Sequence, residues 1–477
     1  MTKVTPYQSP LGVRYASAEM QGLWSPVKRA GVWRRIWLAL AETQKSLGLD
    51  IPDEAISAMR AHLDDANLDE VKKYEKRFRH DVMAHIHHFG DQAPEARAFI
   101  HLGATSAFVT DNTDLILLRD GIKLLLGRTK YVIESLRDFA VENRSIPTMA
   151  YTHFQPAQLT TVGKRATLWL QDFVIDAEDF LRLVDTLPFR GCKGTTGTQA
   201  SYLELFDGDH QKVKALDEQF CESFGFKPIG VTGQTYTRKI DGIILNALAG
   251  IAESGSKFAT DLRLLQHEGE ILEPVESDQI GSSAMAYKRN PMRAERVCAL
   301  ARYTISLREN GSYTAATQWL ERTLDDSANR RLVLPDAFLA TDAILVLLGN
   351  ISSGLEVRRS TVGRNVDRVM PFMATERWLM LGVQAGGDRQ ELHEVIRKES
   401  WAVQDAMEHG ESNDLLERLS NQPEFASVDR DQLRAELDPA KYVGRSAEQV
   451  EDFCSGQVQE LLAELSTYNV EASEITV

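Results

Sequence analysis

The sequence has few of the features that mark secreted, zinc-bound or membrane proteins. No stretch reaches eighteen uninterrupted apolar residues, and the strongest apolar run, Ala343 to Leu348, is too short to span a bilayer. The first twenty residues also lack the apolar stretch of a signal peptide. No CxxC pair exists, which argues against a disulfide framework or a zinc ribbon; the cysteines are Cys192, Cys221, Cys298 and Cys454. These absences predict a soluble protein of the cytoplasm with no membrane partner.

Motifs for nucleotide cofactors and metals are also missing. The glycine-rich segment Gly191–Ser201 lacks the GxxxxGK[ST] order of a P-loop, and no GxGxxG follows a strand pattern. The net charge of −15 disfavours a nucleic-acid surface, which has to neutralise phosphates. A histidine cluster invites a metal interpretation, but its spacing scatters the side chains around a helix: His80, His85, His87 and His88. We therefore expect no metal, no cofactor and no nucleic-acid partner.

Long helical periodicity is the dominant pattern that the sequence does contain. Apolar residues recur every three or four positions over five stretches, and strand-like alternation is scarce. The stretches are Leu115–Phe139, Pro156–Leu187, Ile240–Leu265, Pro291–Ile305 and Leu332–Leu355. This pattern predicts an all-α fold, with a central elongated bundle of long helices over 110–357 and flanking helical domains over 1–109 and 358–477. The apolar faces of such long helices are larger than the loops of a compact monomer can cover. We therefore also expect an oligomer.

The segment Gly281–Pro291 is the most informative part of the chain. Pro291 suits the first position of a helix, with Asn290 as its cap. The N-terminus of that helix would present free N–H groups, and with Lys288 it would form a small anion site that also favours an alkoxide on Ser282. The alternative is a flexible surface loop that only links two helices of the bundle.

This segment resembles the signature of the fumarase/aspartase superfamily. The match follows the order Ser282-Ser283-x-Met-x-x-Lys288-x-Asn290-Pro291. Ala286 stands where the superfamily usually has proline, which bears on the rigidity of the loop. The resemblance implies a helical lyase that expels fumarate without a metal or an organic cofactor.

Other segments resemble one branch of this superfamily, the lyases that act on succinylated purine nucleotides. The resemblance extends over roughly residues 10 to 400. The matching segments are Arg79–Asp81, Gly103–Asn112, Thr152–Gln158, Lys193–Gln199 and Leu324–Arg331. Two alternatives stay open: the argininosuccinate branch, against which Arg79–Asp81 and Leu324–Arg331 argue, and a helical scaffold that has lost activity.

The resemblance also implies the catalytic residues of an anti β-elimination. Ser282 would be the base that takes a proton from carbon, and Lys288 belongs to the loop that stabilises the resulting carbanion. His153 would protonate the departing nitrogen, since imidazole has a pKa near neutrality. Glu295 would hold the ring of His153, and His80 matches a second active-site histidine. Without the resemblance, His153 would be taken as structural and Glu295 as a solvated carboxylate.

A succinylated nucleotide carries about four negative charges, so its site needs several arginines with bidentate geometry. By motif position the substrate-binding candidates are Arg14, Tyr15, Arg79, Asp81, Thr105, Ser106, Thr152, Gln234, Asn290, Arg296, Arg322, Ser327 and Arg331. Among them, Arg14-Tyr15 matches a ribose-phosphate contact. The resemblance further implies a homotetramer in which each site draws on three chains.

Overall fold

The computed structural model describes residues 7–276 and 278–470, and most of them are helical. A π-helical turn, Leu11–Tyr15, precedes the N-terminal helices α1 Ala18–Leu23, α2 Pro26–Ser46, α3 Asp53–Ala61, α4 Leu68–Phe78 and α5 Asp81–Gln92. The central helices are α6 Ser106–Glu142, α7 Val162–Thr186, α8 Ala200–Leu205, α9 His210–Glu222, α10 Lys239–His267, α11 Met292–Ala316 and α12 Asp325–Ser353. The C-terminal helices are α13 Arg359–Gln384, α14 Arg389–Glu408, α15 Leu415–Ser420, α16 Arg430–Ala435, α17 Ser446–Ser455 and α18 Gln457–Glu464.

Two small antiparallel sheets complete the described part of the chain. Strands β1 Pro147–Thr152 and β2 Gln155–Thr161 form a hairpin, and β3 Ile271–Leu272 pairs with β4 Glu356–Val357. Both lie at ends of long helices. With so little strand, the predicted all-α fold is confirmed.

The five long helices predicted from the sequence correspond to α6, α7, α10, α11 and α12, and they pack side by side as a bundle. Helix α6 contacts α7 and α12, and α10 contacts α7, α11 and α12. Their shared core is apolar and aromatic; for example, the rings of Trp169 on α7 and Phe258 on α10 lie 4.7 Å apart. The periodic apolar positions read from the sequence, such as Leu115, Ile244 and Leu348, are fully buried.

The bundle has two ends that hold different motifs. At the first, which we call the network end, α6, α10 and α12 all begin. Their starts lie together, since Arg238 directly before α10 pairs with Asp111 on α6 and with Asp326 on α12. At the second, the loop end, α6 and α10 finish and α7 and α11 start. The hairpin β1–β2 belongs to the loop end, since Thr148 donates to Glu270 just beyond α10. At 1.5 Å per residue, α10 alone separates the ends by roughly 40 Å.

The prediction of a helix from Pro156 is wrong, because residues 155–161 form β2 and α7 begins only at Val162. Thr161 is extended and its side chain accepts a hydrogen bond from the N–H of Lys164, so it caps the helix. Leu159 packs instead against Val366 and Met370 of α13. Because Leu159 lies three residues before Val162, the helical spacing of apolar residues continued from α7 back into β2 and hid the boundary between them.

The flanking regions are packed in different ways. The N-terminal helices and the last two helices share one apolar core with the bundle, whereas α13 to α16 enclose a smaller core of their own around Trp378 and Leu415. Helix α6 starts at Ser106, so the predicted boundary after residue 109 lies inside its first turn. The boundary after residue 357 lies between β4 and α13. The three-domain division stays a prediction.

One helix of the described chain, α12, is long and apolar enough to cross a membrane by length and composition. Its most apolar window is 72% buried inside the protein. The run Ala343 to Leu348 lies in this helix, where it packs against the other long helices. Its apolar character is therefore that of a core helix.

Candidate active site

The network end brings two of the predicted motifs into contact. His80 caps α5, and its Nε2 lies 3.3 Å from the hydroxyl of Ser106 at the start of α6. The next residue, Asp81, accepts a hydrogen bond from the guanidinium of Arg331 on α12. Burial alone would raise the pKa of Asp81, but the hydrogen bonds from Arg331 and from the N–H of Val82, together with the nearby positive charge, lower that pKa overall. Three helices thus present polar groups to one side of this end.

Further substrate-binding candidates lie beside this contact. Arg79 occupies a left-handed position with φ of 54° at the end of α4, and Thr105 is the residue directly before α6. Ser327 lies in the first turn of α12. Arg322 donates to Asp326 over 3.3 Å, and the backbone N–H of Gln234 donates to Glu321 over 3.0 Å. All these groups therefore collect where α6 and α12 begin.

A buried ion network supports the network end, and the sequence analysis did not identify it. Arg238 contacts Asp111 at 3.1 Å and Asp326 at 2.7 Å, and Arg330 contacts Asp241 at 2.7 Å and Asp114 at 2.9 Å. All these side chains are almost fully buried. Charged residues on core-facing helical positions were the available signal, since buried charges need partners.

Arg190 is a second residue that the sequence analysis missed. It is fully buried and donates to the backbone carbonyls of Gln234, Gly191 and Gly194. These bonds connect the glycine-rich segment Gly191–Ser201 to the loop that contains Gln234. The side-chain amide of Gln234 in turn donates to the carbonyl of Thr195 over 3.0 Å.

The loop end carries the signature loop, Gly281–Asn290. Its neck is closed, because the amide of Asn290 donates to the carbonyl of Gly281 over 2.7 Å. A Cβ at Gly281 would lie 2.3 Å from the carbonyl oxygen of Lys288, so only glycine fits there. The hydroxyl of Ser282 accepts N–H bonds from Ala284 at 3.4 Å and Met285 at 3.1 Å. Two donors on one oxygen favour its ionised form.

The predicted anion site at the start of α11 is corrected in one respect. Pro291 takes the cap position and Asn290 bonds to the loop instead. The N–H groups of Arg293 and Ala294 donate to the carboxylate of Glu273, at 3.0 and 2.9 Å. A buried carboxylate thus already satisfies the helix N-terminus, which is not open to a ligand. Lys288 and Glu295 are exposed beside it.

The hairpin β1–β2 carries His153 at its tip. Thr152 pairs with Gln155, so His153 and Phe154 form a two-residue turn with φ of 53° and 60°. Positive φ is unfavourable for residues other than glycine, and such strain collects at functional sites. Thr152 and His153 are exposed. Within the described chain, no hydrogen bond joins His153 to Ser282, Lys288 or Glu295.

The remaining candidates form a small group beside α11. The guanidinium of Arg296, in the second turn of α11, lies 5.8 Å from the ring centre of Tyr15. Arg14 lies 5.9 Å from the same ring. Both arginines are within cation–π range of the tyrosine. This contact places the N-terminal π turn near the loop end.

One chain therefore does not bring all the predicted residues together. His80, Ser106 and Arg331 lie at the network end, and His153 and Ser282 lie at the loop end, separated by roughly 40 Å of helix. Among the described residues, no group of three or more histidine, cysteine or acidic side chains could hold a metal ion.

Comparison with solved structures defines the class of fold. The chain is similar to a fumarate lyase from a Mesorhizobium species, with 22% identity, 95% of this chain and all of that chain covered, and a TM-score of 0.78. It is also similar to a 3-carboxy-cis,cis-muconate lactonizing enzyme from Pseudomonas putida, with 22% identity, 94% and 98% covered, and a TM-score of 0.80. The long-helix bundle is the fold that these enzymes share.

Closer relatives narrow the class. Residues 19–304 match the family described as lyase, and residues 371–453 match the adenylosuccinate lyase C-terminus. The adenylosuccinate lyase of Schizosaccharomyces pombe is 50% identical, with 96% of both chains covered, and that of Saccharomyces cerevisiae is 49% identical, with 97% of both covered. The chain belongs to the adenylosuccinate lyase family within the lyases. The family resemblance read from the motifs is confirmed.

Proposed function

We propose that this enzyme cleaves adenylosuccinate to AMP and fumarate, and the succinyl-aminoimidazole carboxamide ribotide to its carboxamide and fumarate, in purine nucleotide biosynthesis. One observation carries the proposal. Relatives about half identical over nearly the whole chain bear the name adenylosuccinate lyase, and the chain retains all four residues of the chemical step: His153, Ser282, Lys288 and Glu295.

The reaction is an anti β-elimination. The alkoxide of Ser282 takes a proton from the succinyl carbon beside a carboxylate, and the electron pair spreads into that carboxylate. The N–H groups of Ala284 and Met285, which already point at Ser282, favour the alkoxide, and Lys288 stabilises the developing negative charge. The carbon–nitrogen bond then breaks, its electron pair stays on nitrogen, and His153 supplies the proton. Glu295 holds the ring of His153.

Side chains from both ends of the bundle bind the charged groups of the substrate. Arg14, Tyr15 and Arg296 lie together near the loop end and suit a phosphate or carboxylate. The others lie at the network end or on the hairpin and loop. They are Arg79, His80, Asp81, Thr105, Ser106, Thr152, Gln234, Asn290, Arg322, Ser327 and Arg331.

The complete site forms between chains of a homotetramer in the cytoplasm. A mononucleotide cannot bridge the roughly 40 Å between the ends of one chain, so the loop end of one copy has to meet the network end of another. The outer faces of the long helices also expose apolar side chains that suit burial against other copies. These are Leu168, Ile175, Ile243, Leu264 and Tyr303.

An ultraviolet assay with purified protein tests the reaction. Adenylosuccinate should be consumed with release of fumarate, whereas argininosuccinate and malate should not react. Activity should survive EDTA and dialysis, because Ser282, Lys288 and His153 supply the base, the charge and the acid. Turnover of argininosuccinate alone would contradict the substrate, and activity lost to EDTA and restored by a divalent ion would contradict the mechanism.

A further inference from the structure

Side chains at the stem of the signature loop, apart from the substrate-binding candidate Asn290, have no role in the reaction proposed above. They nevertheless hold both strands of the stem, meaning the segment that enters the loop and the segment that leaves it. We call Gln266, Glu273, Asn290 and Arg293 the stem clamp. Asn290 closes the neck of the loop, as described above. The other three act below the neck, where the chain enters from β3 and leaves into α11.

Gln266, near the end of α10, contacts both strands of the stem with one amide group. Its oxygen accepts the backbone N–H of Glu273 at 3.2 Å, on the entering strand. Its nitrogen donates to the carbonyl of Arg289 at 3.1 Å, on the leaving strand. The last turns of α10 are thus joined to both sides of the loop.

Glu273 connects the entering strand directly to the backbone of α11. Its side chain is 1% exposed, and its two oxygens accept separate N–H groups, those of Arg293 and Ala294. Burial raises the pKa of this carboxyl, although the two N–H donors oppose the rise. Glu295 is the residue after Ala294. The carboxylate of Glu273 therefore fixes the first turn of α11, which carries Glu295.

Arg293 reinforces the same connection from the other side. Its guanidinium donates to the carbonyl of Pro274 at 2.6 Å and to Glu276 at 2.9 Å. The entering strand is therefore bound to α11 through Glu273 and through Arg293. By contrast, the loop above the neck is exposed from Ser283 to Arg289.

We propose that Glu273 is a positioning residue, which holds the signature loop with Ser282 and Lys288 in register with Glu295 on α11. This inference rests on the proposed function. Removing the carboxylate leaves two N–H groups of α11 without acceptors and leaves the entering strand connected to α11 through the guanidinium of Arg293, so the loop is held less firmly. Small displacements of reacting groups lower the rate of the chemical step more than binding.

The test combines kinetics with a local probe of the loop in the full-length protein. Lys288 and Arg289 are exposed in the loop, so trypsin cleavage after them reports its order without any need for activity. In Glu273→Gln, one acceptor is replaced by an NH₂ group that faces an N–H donor. Glu276→Gln is the matched control, because Glu276 lies three residues further along the same strand, its side chain is 68% exposed, and a glutamine oxygen there can still accept the hydrogen bond from Arg293.

We expect Glu273→Gln to speed cleavage after Lys288 and Arg289 by about tenfold, and to lower kcat about tenfold with KM changed much less. Glu276→Gln should match wild type in both measurements. If Glu273→Gln fails to fold, Gln266→Leu serves as the test variant, since it removes both amide contacts of Gln266 and leaves the carboxylate of Glu273 in place. It should also speed cleavage after Lys288 and Arg289 and lower kcat.

Wild-type cleavage rates and kcat in folded Glu273→Gln would overturn the inference, as would a change in KM alone. Wild-type values for Gln266→Leu would overturn it if only that variant folds. A wild-type enzyme inactive on adenylosuccinate would refute the proposed function, while the cleavage rates would still decide whether Glu273 orders the loop.

Discussion

The two ends of the bundle hold their functional residues by different means. At the network end, Arg238 and Arg330 lie buried among four aspartates, and the polar groups near the surface rest on that network. At the loop end, Ser282 and Lys288 belong to an exposed loop that is fixed only at its neck and stem. Candidate residues at the network end thus rest on a buried ion network, whereas the two in the signature loop are held only through the base of that loop.

This difference predicts different consequences of mutation. Changes at the network end should lower the free energy of unfolding, because a buried charge that loses its partner is costly. Changes in the signature loop should lower the rate and leave the free energy of unfolding nearly unchanged, since the loop buries little.

The largest effect on stability is expected for Asp111→Ala. It leaves the buried Arg238 without its partner on α6 and should lower the free energy of unfolding by about 3–5 kcal/mol. Urea unfolding measures this change. The control is Asp64→Ala, which breaks an exposed pair with Arg35 and should cost less than about 1 kcal/mol. Equal losses in the two variants would remove the proposed contrast between the ends.

Ser282→Ala tests the loop end. Losing the base should reduce kcat at least about a hundredfold while substrate still binds and the free energy of unfolding stays the same. The neighbouring Ser283→Ala is the matched control and should keep most of the activity. If Ser282→Ala kept more than about a tenth of kcat, a loss of only about 1.4 kcal/mol in the barrier, Ser282 would not be the base.

Between the ends, Asp176 on α7 makes stability depend on pH. Burial, only partly offset by a hydrogen bond from Ser254, and the nearby charge of Asp172 raise its pKa to about 7. The folded state then binds this proton more tightly than the unfolded state, so its contribution to stability is full below about pH 4 and is lost as pH rises to about 7. Asp176→Asn should therefore raise Tm at pH 8 relative to wild type.

The measurement is Tm from pH 5 to pH 8 for Asp176→Asn and for Asp179→Asn, whose side chain is exposed. Asp176→Asn should flatten the pH dependence, and Asp179→Asn should change it much less, because the charge of Asp179 raises the pKa of Asp176 less than burial does. Identical slopes in all three proteins would show that the proton on Asp176 is not linked to folding.

The smallest effect is expected for Ala286→Pro in the signature loop. Lys288 N–H donates to Met285 at 3.0 Å, so Ala286 is the second residue of a turn, where proline is favoured. Proline there should stabilise by about 0.4–1 kcal/mol by restricting the unfolded chain. Trypsin should cut after Lys288 more slowly, and Ala284→Pro is a control whose N–H bond to Ser282 would be lost. Faster cleavage in Ala286→Pro would contradict the turn assignment.

The long helices could be predicted because their apolar period continues over many turns, as from Ile240 to Leu265. The hairpin could not, because Leu159 continues the helical spacing into Val162 although its side chain packs on α13. The cap of α11 was missed for another reason. Its acceptor, Glu273, lies twenty residues before Arg293 and on the other side of the loop, so local capping rules pointed to Asn290.

The motifs located the candidate residues but not their partners. Arg238 meets Asp111 and Asp326, which are 127 and 88 residues away in the chain, and only the packing of three helices brings them together. For the same reason, the sequence located His80 and Ser282 without showing that they lie at opposite ends of the bundle.

Complementation between two inactive variants tests most directly whether the site is shared between chains. His80→Ala and Ser282→Ala, carrying different tags, are co-expressed, and assemblies that contain both are isolated by two affinity steps. If His80 and Ser282 of each site come from different chains, random mixing leaves about a quarter of the sites intact, and activity should return to about that level. Mixed assemblies as inactive as either variant alone would show that each site is built within one chain and would contradict the account.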